Sequence, residues 1–397
     1  MSRQTIHDAM AAHQQGRIAA AESIYLDLLQ RRADDVDALH YLGVLRFSQG
    51  KRDQAIDYVR RSLALAPQNA EAWNSLANML LAGEDVASAE TAYLQATSVK
   101  PNYAEAWYNL GNLYRRLQRS DAALRAYQRT IEINPRLSGA YEKMAALLKN
   151  MGREDLRGEV FRQWLKVDPD NPVARHMAAA HSAQDVPARA SDEYVTQLFD
   201  RFAANFDESL ARLKYSAPSL LCGAVLKVLP AGHKAVVLDA GCGTGLCGSL
   251  LRPAASVLIG VDLSAGMLAK AAERKTYDEL HKGELAAFMR AHPASFDVIV
   301  SADTLNYFGA LEEPLAAAAT SLKAAGILAF TLEAPAAGMA EKFKLHTHGR
   351  YSHNTQYVRD CLAATGLELL QLEAGVLRQE GGVQVSGNVV IAKRVSA

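Results

Sequence analysis

The sequence has little of what marks secreted, membrane-spanning or nucleic-acid-binding proteins. Four cysteines in 397 residues are too few for a disulfide-based fold. No apolar run approaches the roughly 18 residues that span a bilayer, and the first residues lack the apolar core of a signal peptide. Basic and acidic residues both number 43, which leaves no basic excess for nucleic acid. We therefore expect a cytoplasmic protein with neither a membrane nor a nucleic-acid partner.

Candidate metal ligands are also scarce. His346 and His348 lie close together in the sequence, but no cysteine or acidic residue accompanies them at ligand spacing. We therefore predict no metal site.

A period of 34 residues runs through the first half of the chain. Prolines, small residues and large apolar residues all repeat in this step. The members of three phases are Pro67, Pro101, Pro135 and Pro169; Ala21, Ala55, Ala89 and Ala123; and Leu39, Trp73, Trp107 and Tyr141. Helix–turn–helix units with this period and pattern are tetratricopeptide repeats. Because one unit cannot bury its apolar face alone, such units stack into a solenoid. We assign residues 1–171 to an all-α repeat domain of about five units.

Asparagines in the repeats suggest a ligand for this domain. Asn78 and Asn112 hold the same position of the first helix in successive units, and this position is expected to face the concave surface; Asn74 and Asn109 lie nearby. An asparagine amide can both donate to and accept from a peptide backbone. The pattern resembles the asparagine ladder of the O-linked N-acetylglucosamine transferases, and that resemblance implies a peptide or protein in the groove. Simple solvation of these side chains is the alternative.

The second half of the chain has a different pattern. Residues 172–191, rich in alanine and small polar residues, are predicted to link the repeats to a domain at 192–397. That domain opens with a helical stretch, 192–229, whose apolar residues form either core or a lid over a ligand site. Apolar strands then alternate with helices, which predicts a doubly wound, mostly parallel sheet. Ligands bind such sheets beyond the carboxyl ends of the strands.

A glycine-rich turn follows the first strand of this sheet. The strand ends at Asp239, and Gly241, Gly243 and Gly245 follow it. Residues 243–248 also match the G-x-G-x-x-G pattern of dinucleotide sites. However, an acidic residue at the strand end would repel a pyrophosphate, whereas it suits a ligand that carries an ammonium group and no phosphate. S-adenosylmethionine has that chemistry.

Three segments carry a family resemblance. VVLDAGCGTG, GVDLSAGMLAKA and FDVIVSAD, in this order, resemble the class I S-adenosylmethionine-dependent methyltransferases. More narrowly, FDRFAANFDESLARLKYSAPSLL and GRYSHNTQYV resemble bacterial methyltransferases fused to tetratricopeptide repeats, and human proteins of the methyltransferase-like 27 type are similar in this domain. The expected fold is an all-α solenoid followed by a Rossmann-like α/β domain with seven strands.

The resemblance implies cofactor contacts residue by residue. The backbone of Gly241, Cys242, Gly243, Thr244 and Gly245 would line the methionine moiety. The other implied contacts are Asp239 near the ammonium, Asp262 on both ribose hydroxyls, Leu263 and Met267 beside the adenine, Glu284 with Leu285 at the adenine amino group, Asp303 toward the transferred methyl, and Tyr215 over the methionine end.

The methyl acceptor is narrowed mainly by exclusion. SADTLNYF lacks the Asn/Asp-Pro-Pro-Tyr set of enzymes that methylate adenine or glutamine nitrogens, and no arginine-methylating pair of glutamates is present. Carboxylate, hydroxyl, amine and thiol acceptors remain. Tyr307, Glu333, Arg350, Tyr351 and His353 are the candidate acceptor-site residues, with His353 as general base and Arg350 as carboxylate ligand.

Three functional hypotheses follow. The chain methylates a peptide or protein delivered by the repeats; or it methylates a small molecule, with the repeats recruiting it to an assembly; or it is an assembly factor that retains the fold without catalysis. The intact Asp239–Gly245 segment and Asp262 favour catalysis over the third hypothesis.

Overall fold

The structure is a computed structural model that describes residues 5–230 and 232–395. The chain forms two compact units, one ending at Asp168 and the other beginning at Pro169. Within the described residues, no helix is both long enough and apolar enough to cross a membrane.

The first unit is all-helical. Its helices follow one another in pairs, and each pair corresponds to one period of the sequence. The helices are α1 (Ile6–Gln14), α2 (Ile18–Arg31), α3 (Val36–Ser48), α4 (Arg52–Leu65), α5 (Ala70–Ala82), α6 (Val86–Val99), α7 (Ala104–Arg116), α8 (Ser120–Ile133), α9 (Ser138–Asn150) and α10 (Glu154–Val167). The predicted tetratricopeptide solenoid is therefore confirmed as the fold of this unit.

Proline and tryptophan recur together for a physical reason. The indole Nε1 of Trp73 donates to the carbonyl of Pro67 at 2.9 Å, and Trp107 makes the same bond to Pro101 at 3.0 Å. Each tryptophan on a first helix thus ties down the turn that precedes that helix.

Small residues recur where helices approach closely. Ala55, Ala89 and Ala123 are completely buried. A methyl group added at Gly43 would lie 2.6 Å from Val59 Cγ2, and one at Gly111 would lie 2.7 Å from the ring of Tyr127. Because such distances are inside van der Waals contact, larger side chains at these positions would force the helices apart.

The segment expected to be a linker contains a helix. α11 (Pro172–Ser182) belongs to the second unit and is capped by Asn171, whose side chain accepts from the backbone N–H of Ala174 at 3.1 Å. Three periods earlier, Asn69 caps α5 through Ala72 in the same way at 3.0 Å. The repeat phase therefore continues beyond residue 171, and the expectation of a plain linker is corrected here.

The second unit continues with three helices and then an α/β domain. The helices are α12 (Asp192–Phe202), α13 (Phe206–Arg212) and α14 (Ala217–Val228), with a 3₁₀ turn at Ala203–Asn205. The α/β elements are β1 (Ala235–Ala240), α15 (Leu246–Leu251), β2 (Ala255–Asp262), α16 (Ala265–Glu273), β3 (Glu279–Lys282), α17 (Leu285–Ala291), β4 (Phe296–Ser301), α18 (Glu312–Ser321), β5 (Leu322–Glu333), β6 (Phe343–Leu345), β7 (Tyr351–His353), α19 (Thr355–Ala364), β8 (Leu367–Glu380) and β9 (Val383–Arg394).

Seven strands form the sheet predicted from the sequence. Their order is β3-β2-β1-β4-β5-β9-β8; the first five run parallel, and β9 is antiparallel to both neighbours. A short hairpin, β6–β7, adds to the carboxyl end of β5, where Ser352 pairs with Glu333. Because the order changes direction between β1 and β4, their carboxyl ends border the crevice where ligands bind such sheets.

Candidate cofactor and acceptor site

The glycine turn after β1 has a backbone that side chains would not tolerate. Gly241, Gly243 and Gly245 have φ values of +78°, +53° and +87°. A Cβ at Gly241 would lie 2.2 Å from Thr304 Oγ1, whereas one at Gly243 would meet nothing within 4 Å. The turn therefore packs against the segment that follows β4 on one side and leaves room for a ligand beside Gly243.

Asp262 joins this turn to the end of β2. One carboxylate oxygen accepts from Gly243 N–H at 2.9 Å and the other from Ser264 N–H at 2.8 Å. Burial raises the pKa of Asp262, and the backbone hydrogen bonds oppose that shift. A carboxylate has about four acceptor positions, so Asp262 keeps acceptor capacity for a ligand hydroxyl group beside its bonds to the backbone.

Asp239 lies at the end of β1 and is 1% exposed. Tyr277, which the sequence reasoning did not identify, donates its hydroxyl to Asp239 Oδ2 at 2.6 Å. Burial raises the pKa of Asp239 to about 7, the hydrogen bond from Tyr277 lowers it, and the charge of Asp262 raises it. A buried carboxylate of this kind gains from a cationic ligand group.

The helical stretch at 192–229 contacts the glycine turn after β1 and the loop after β2. Asp200 accepts from Ser264 Oγ and from Gly266 N–H. Asp207 accepts from Thr244 Oγ1 and is paired with Arg274. These two acids, also missed in the sequence, hold α12 and α13 against the glycine turn and the start of α16, as a lid requires.

The role of Tyr215 over the methionine end stays a prediction. Burial raises the pKa of its hydroxyl, and the charges of Asp303 and Asp239 add to the shift. The side chain therefore interacts with both of these acidic groups.

On the adenine side, β3 ends before the predicted acid. Glu284 instead caps α17, accepting from Ala286 and Ala287 N–H at 3.0 and 2.7 Å. Leu263 is half-buried and could border a ring, while Met267 is fully buried and Leu285 is 7% exposed. The last two are thus buried, and the adenine assignments stay predictions.

A buried cluster of charges lies at the predicted acceptor end. Glu333, at the end of β5, pairs with both Arg350 and Arg378. Arg378 also pairs with Asp303 at 2.9 Å, and both arginines pair with Glu380 at 2.6–2.7 Å. We call these five residues the acceptor cluster; its two cations and three anions give a formal charge of −1.

Several predicted residues belong to or adjoin this cluster. Burial raises the pKa of Tyr307; the charges of Arg350 and Arg378 oppose that shift, and those of Glu333 and Asp303 add to it, so its hydroxyl interacts with both the cations and the acids of the cluster. Burial also raises the pKa of Asp303, and Arg378 opposes that shift. Arg378 and Glu380 were missed because they lie on β8, far along the chain and without a local motif.

The predicted base, His353, lies in the core. It is 1% exposed, and its Nε2 donates to the carbonyls of Phe308 and Gly309 at 2.8 and 3.2 Å. Burial lowers the pKa of His353 to about 4. Tyr351 is also fully buried and donates to the carbonyl of Pro187 at 2.8 Å. These contacts give both side chains a packing role, which contradicts the prediction that His353 is a general base.

The asparagines of the first unit are held by partners within that unit. Tyr127 donates to Asn112 Oδ1 at 2.9 Å, and Tyr93 makes the same bond to Asn78 one repeat earlier. Asn109 Nδ2 donates to Asn74 Oδ1 at 3.0 Å, and Asn74 is 3% exposed. Asn78 and Asn112 are half-buried with fixed amides, so they are better placed than Asn74 to meet a ligand.

Known families match both units. Residues 238–330 match a family described as a methyltransferase domain. Residues 104–137, 9–70 and 42–100 match tetratricopeptide repeat families. The chain thus combines tetratricopeptide repeats with a methyltransferase domain.

Relatives of the second unit include two methyltransferases whose names state different acceptors and one whose name states none. Human methyltransferase-like protein 27 is 36% identical over 27% of this chain and 42% of its own length. Mouse 18S rRNA (guanine-N(7))-methyltransferase is 33% identical over 23% of this chain and 30% of its own. Malonyl-[acyl-carrier protein] O-methyltransferase of Enterobacter lignolyticus is 31% identical over 34% and 52%. The chain spans about half or less of the length of these relatives.

Proposed function

We propose that this chain, which joins tetratricopeptide repeats to a methyltransferase domain, transfers a methyl group from S-adenosylmethionine to a peptide or protein held by the repeats. The observation that best supports a cofactor site is the hydrogen bond from Gly243 N–H to Asp262, next to the open space at Gly243. A ligand there meets backbone amides and a carboxylate together.

The chain's own residues fit the parts of this cofactor, which supplies a methyl group on a positively charged sulfur. Asp262 would accept from the ribose hydroxyls and Asp239 would face the ammonium, while Leu263 would border the adenine. Asp200 and Asp207 hold the helical lid over the same loops. A closed lid excludes water, so the work of the protein is to position the acceptor.

The acceptor is proposed to lie beside Asp303, Tyr307 and the acceptor cluster. Carboxylate, hydroxyl and amine groups all suit a site lined by arginines and carboxylates. Arg350 could receive a carboxylate, but Glu333 and Glu380 already occupy it. A carboxylate acceptor would therefore have to displace one of these two side chains.

The first test is transfer of labelled methyl groups from S-adenosylmethionine by the full chain in lysate of its source. We expect label in one protein or peptide band, absent with Asp262→Ala and retained with Asp360→Ala, an exposed aspartate on α19. Loss of the label in base would identify a carboxyl ester. Label in small molecules alone would contradict protein delivery, and no label would contradict catalysis.

The second test concerns the repeats. Lysines at Asn78 and Asn112 should lower labelling of the protein band and leave cofactor affinity unchanged. Gln68→Lys together with Asn102→Lys is the matched control. These two exposed residues occupy equivalent positions in successive repeats, and Arg136 places a cation at the same position of the next repeat. Unchanged labelling with the Asn78/Asn112 variant would refute delivery through this groove.

A further inference from the structure

Three glycines of the second unit make room for one tyrosine. A Cβ added at Gly245, Gly248 or Gly260 would lie 2.9, 2.4 or 3.0 Å from the ring of Tyr277. Gly245 and Gly248 belong to the turn and first helix after β1, and Gly260 lies in β2. The ring therefore fills a slot that exists because these three positions lack side chains.

The slot directs the tyrosine hydroxyl to a single acceptor. Tyr277 lies just before β3, and its hydroxyl reaches Asp239 Oδ2 at 2.6 Å. Burial raises the pKa of Tyr277, and the charge of Asp239 adds to that shift, so the hydroxyl keeps its proton and acts as a donor. A short hydrogen bond to a carboxylate is stronger than one between neutral groups, and it favours the ionised acid.

We propose that Tyr277 is the positioning residue for Asp239: its hydrogen bond favours the ionised form of this carboxylate and orients it to receive the α-ammonium group of the cofactor. The inference rests on the proposed function, since it concerns the same site. It assigns a role to a residue outside the glycine motif.

Other ionisable groups face Asp239, and their charges set the expected pH dependence. They are Asp262, Tyr215 and the thiols of Cys242 and Cys247. Burial raises the pKa of Tyr215 and of Cys242, and a hydrogen bond with Cys222 followed by burial raises that of Cys247, so all three are neutral near pH 7. Asp262 adds negative charge that disfavours ionisation of Asp239. Removing the Tyr277 hydroxyl should therefore shift the carboxyl further toward its neutral form.

The test is calorimetric binding of two ligands to the full chain at several pH values. S-adenosylhomocysteine carries the α-ammonium, whereas 5′-methylthioadenosine keeps the adenosine and sulfur but lacks the amino-acid end. Tyr277→Phe should weaken S-adenosylhomocysteine at pH 7 by about tenfold or more, since a hydrogen bond to a charged group is worth about 1.5 kcal/mol or more and each 1.4 kcal/mol is a factor of about ten in affinity. The loss should shrink as pH rises from 6.5 to 8.5, and 5′-methylthioadenosine should bind as before.

Tyr357→Phe is the matched control. This buried tyrosine also donates to a carboxylate at 2.6 Å, that of Glu312, but lies on α19. It should change neither affinity. An equal loss of both ligands with Tyr277→Phe would assign the hydroxyl to loop stability and overturn the inference, as would unchanged binding of S-adenosylhomocysteine. If the wild-type chain bound neither ligand, the proposed function itself would fail.

Discussion

Glu333 is the acid on which the acceptor cluster depends, and its replacement by glutamine gives a sharp test of the structure. The side chain is 6% exposed and pairs with Arg350 and Arg378, while His348 Nε2 lies 3.3 Å from its second oxygen. Glutamine keeps the shape but loses the charge. Each arginine then keeps Glu380, and Arg378 also keeps Asp303.

The expected loss of stability in Glu333→Gln follows from the ion pairs that remain in the cluster. Removing one partner of a buried ion pair costs about 3–5 kcal/mol when the other charge is left alone. Here two carboxylates still face two arginines, and the formal charge of the cluster changes from −1 to zero. We therefore expect Glu333→Gln to lower the free energy of unfolding by about 2–3 kcal/mol, below the usual range for buried pairs.

Hydrogen exchange of peptides from β5 and β9 in the full chain would measure this loss locally. Glu313→Gln is the matched control: Glu313 pairs with Arg290 at 2.7 Å, but both side chains are about half exposed. Such pairs contribute about 0–1 kcal/mol. Equal effects of the two variants would refute the view that the acceptor cluster is a buried, mutually dependent network.

The contribution of Glu333 to the free energy of unfolding should fall as the pH is lowered. Burial opposes ionisation of Glu333, but Arg350 and Arg378 outweigh burial and lower its pKa. A lowered folded-state pKa means that the stabilisation is present above the unfolded pKa of about 4.3 and is lost as pH falls through the folded value. The difference between wild type and Glu333→Gln should therefore be constant near neutrality and disappear in acid.

Two further predictions concern backbone and turn contacts. Gly241→Ala should destabilise the second unit by about 1–3 kcal/mol in a urea titration, because the new Cβ would overlap Thr304 at positive φ. Gly223→Ala is the control: a Cβ there would enter open space within α14, so the free energy of unfolding should stay the same or rise. Trp107→Phe should cost about 1 kcal/mol or more through loss of the bond to the Pro101 carbonyl, measured as a lower urea midpoint of the first unit.

The fold could be predicted from the sequence because its determinants are local and repeated. The 34-residue period specified paired helices, and a buried apolar run that ends in Asp239 and a glycine turn specified β1. The error at 172–191 had a recoverable signal, since Asn171 and Ala174 stand in the repeat phase. Composition had suggested a linker there, but the period was the better guide.

The acceptor end was less predictable because its members come from distant parts of the chain. Asp303 follows β4 and Glu333 ends the neighbouring β5, so their proximity follows from topology. Arg378 and Glu380 reach them from β8, which requires the antiparallel pairing of β8 with β9 and of β9 with β5. His353 was predicted as a base because it stands in a loop-like segment, whereas its burial and its bond to the Phe308 carbonyl depend on packing that the sequence does not show.

The match of residues 243–248 to a dinucleotide pattern shows why spacing alone is ambiguous. Each glycine has its own physical reason: Gly243 leaves space for a ligand, while Gly245 and Gly248 leave space for Tyr277. The last glycine of the pattern therefore serves a protein side chain rather than a pyrophosphate. Because that side chain donates to Asp239, the same glycines that imitate a phosphate site support a carboxylate suited to an ammonium ligand.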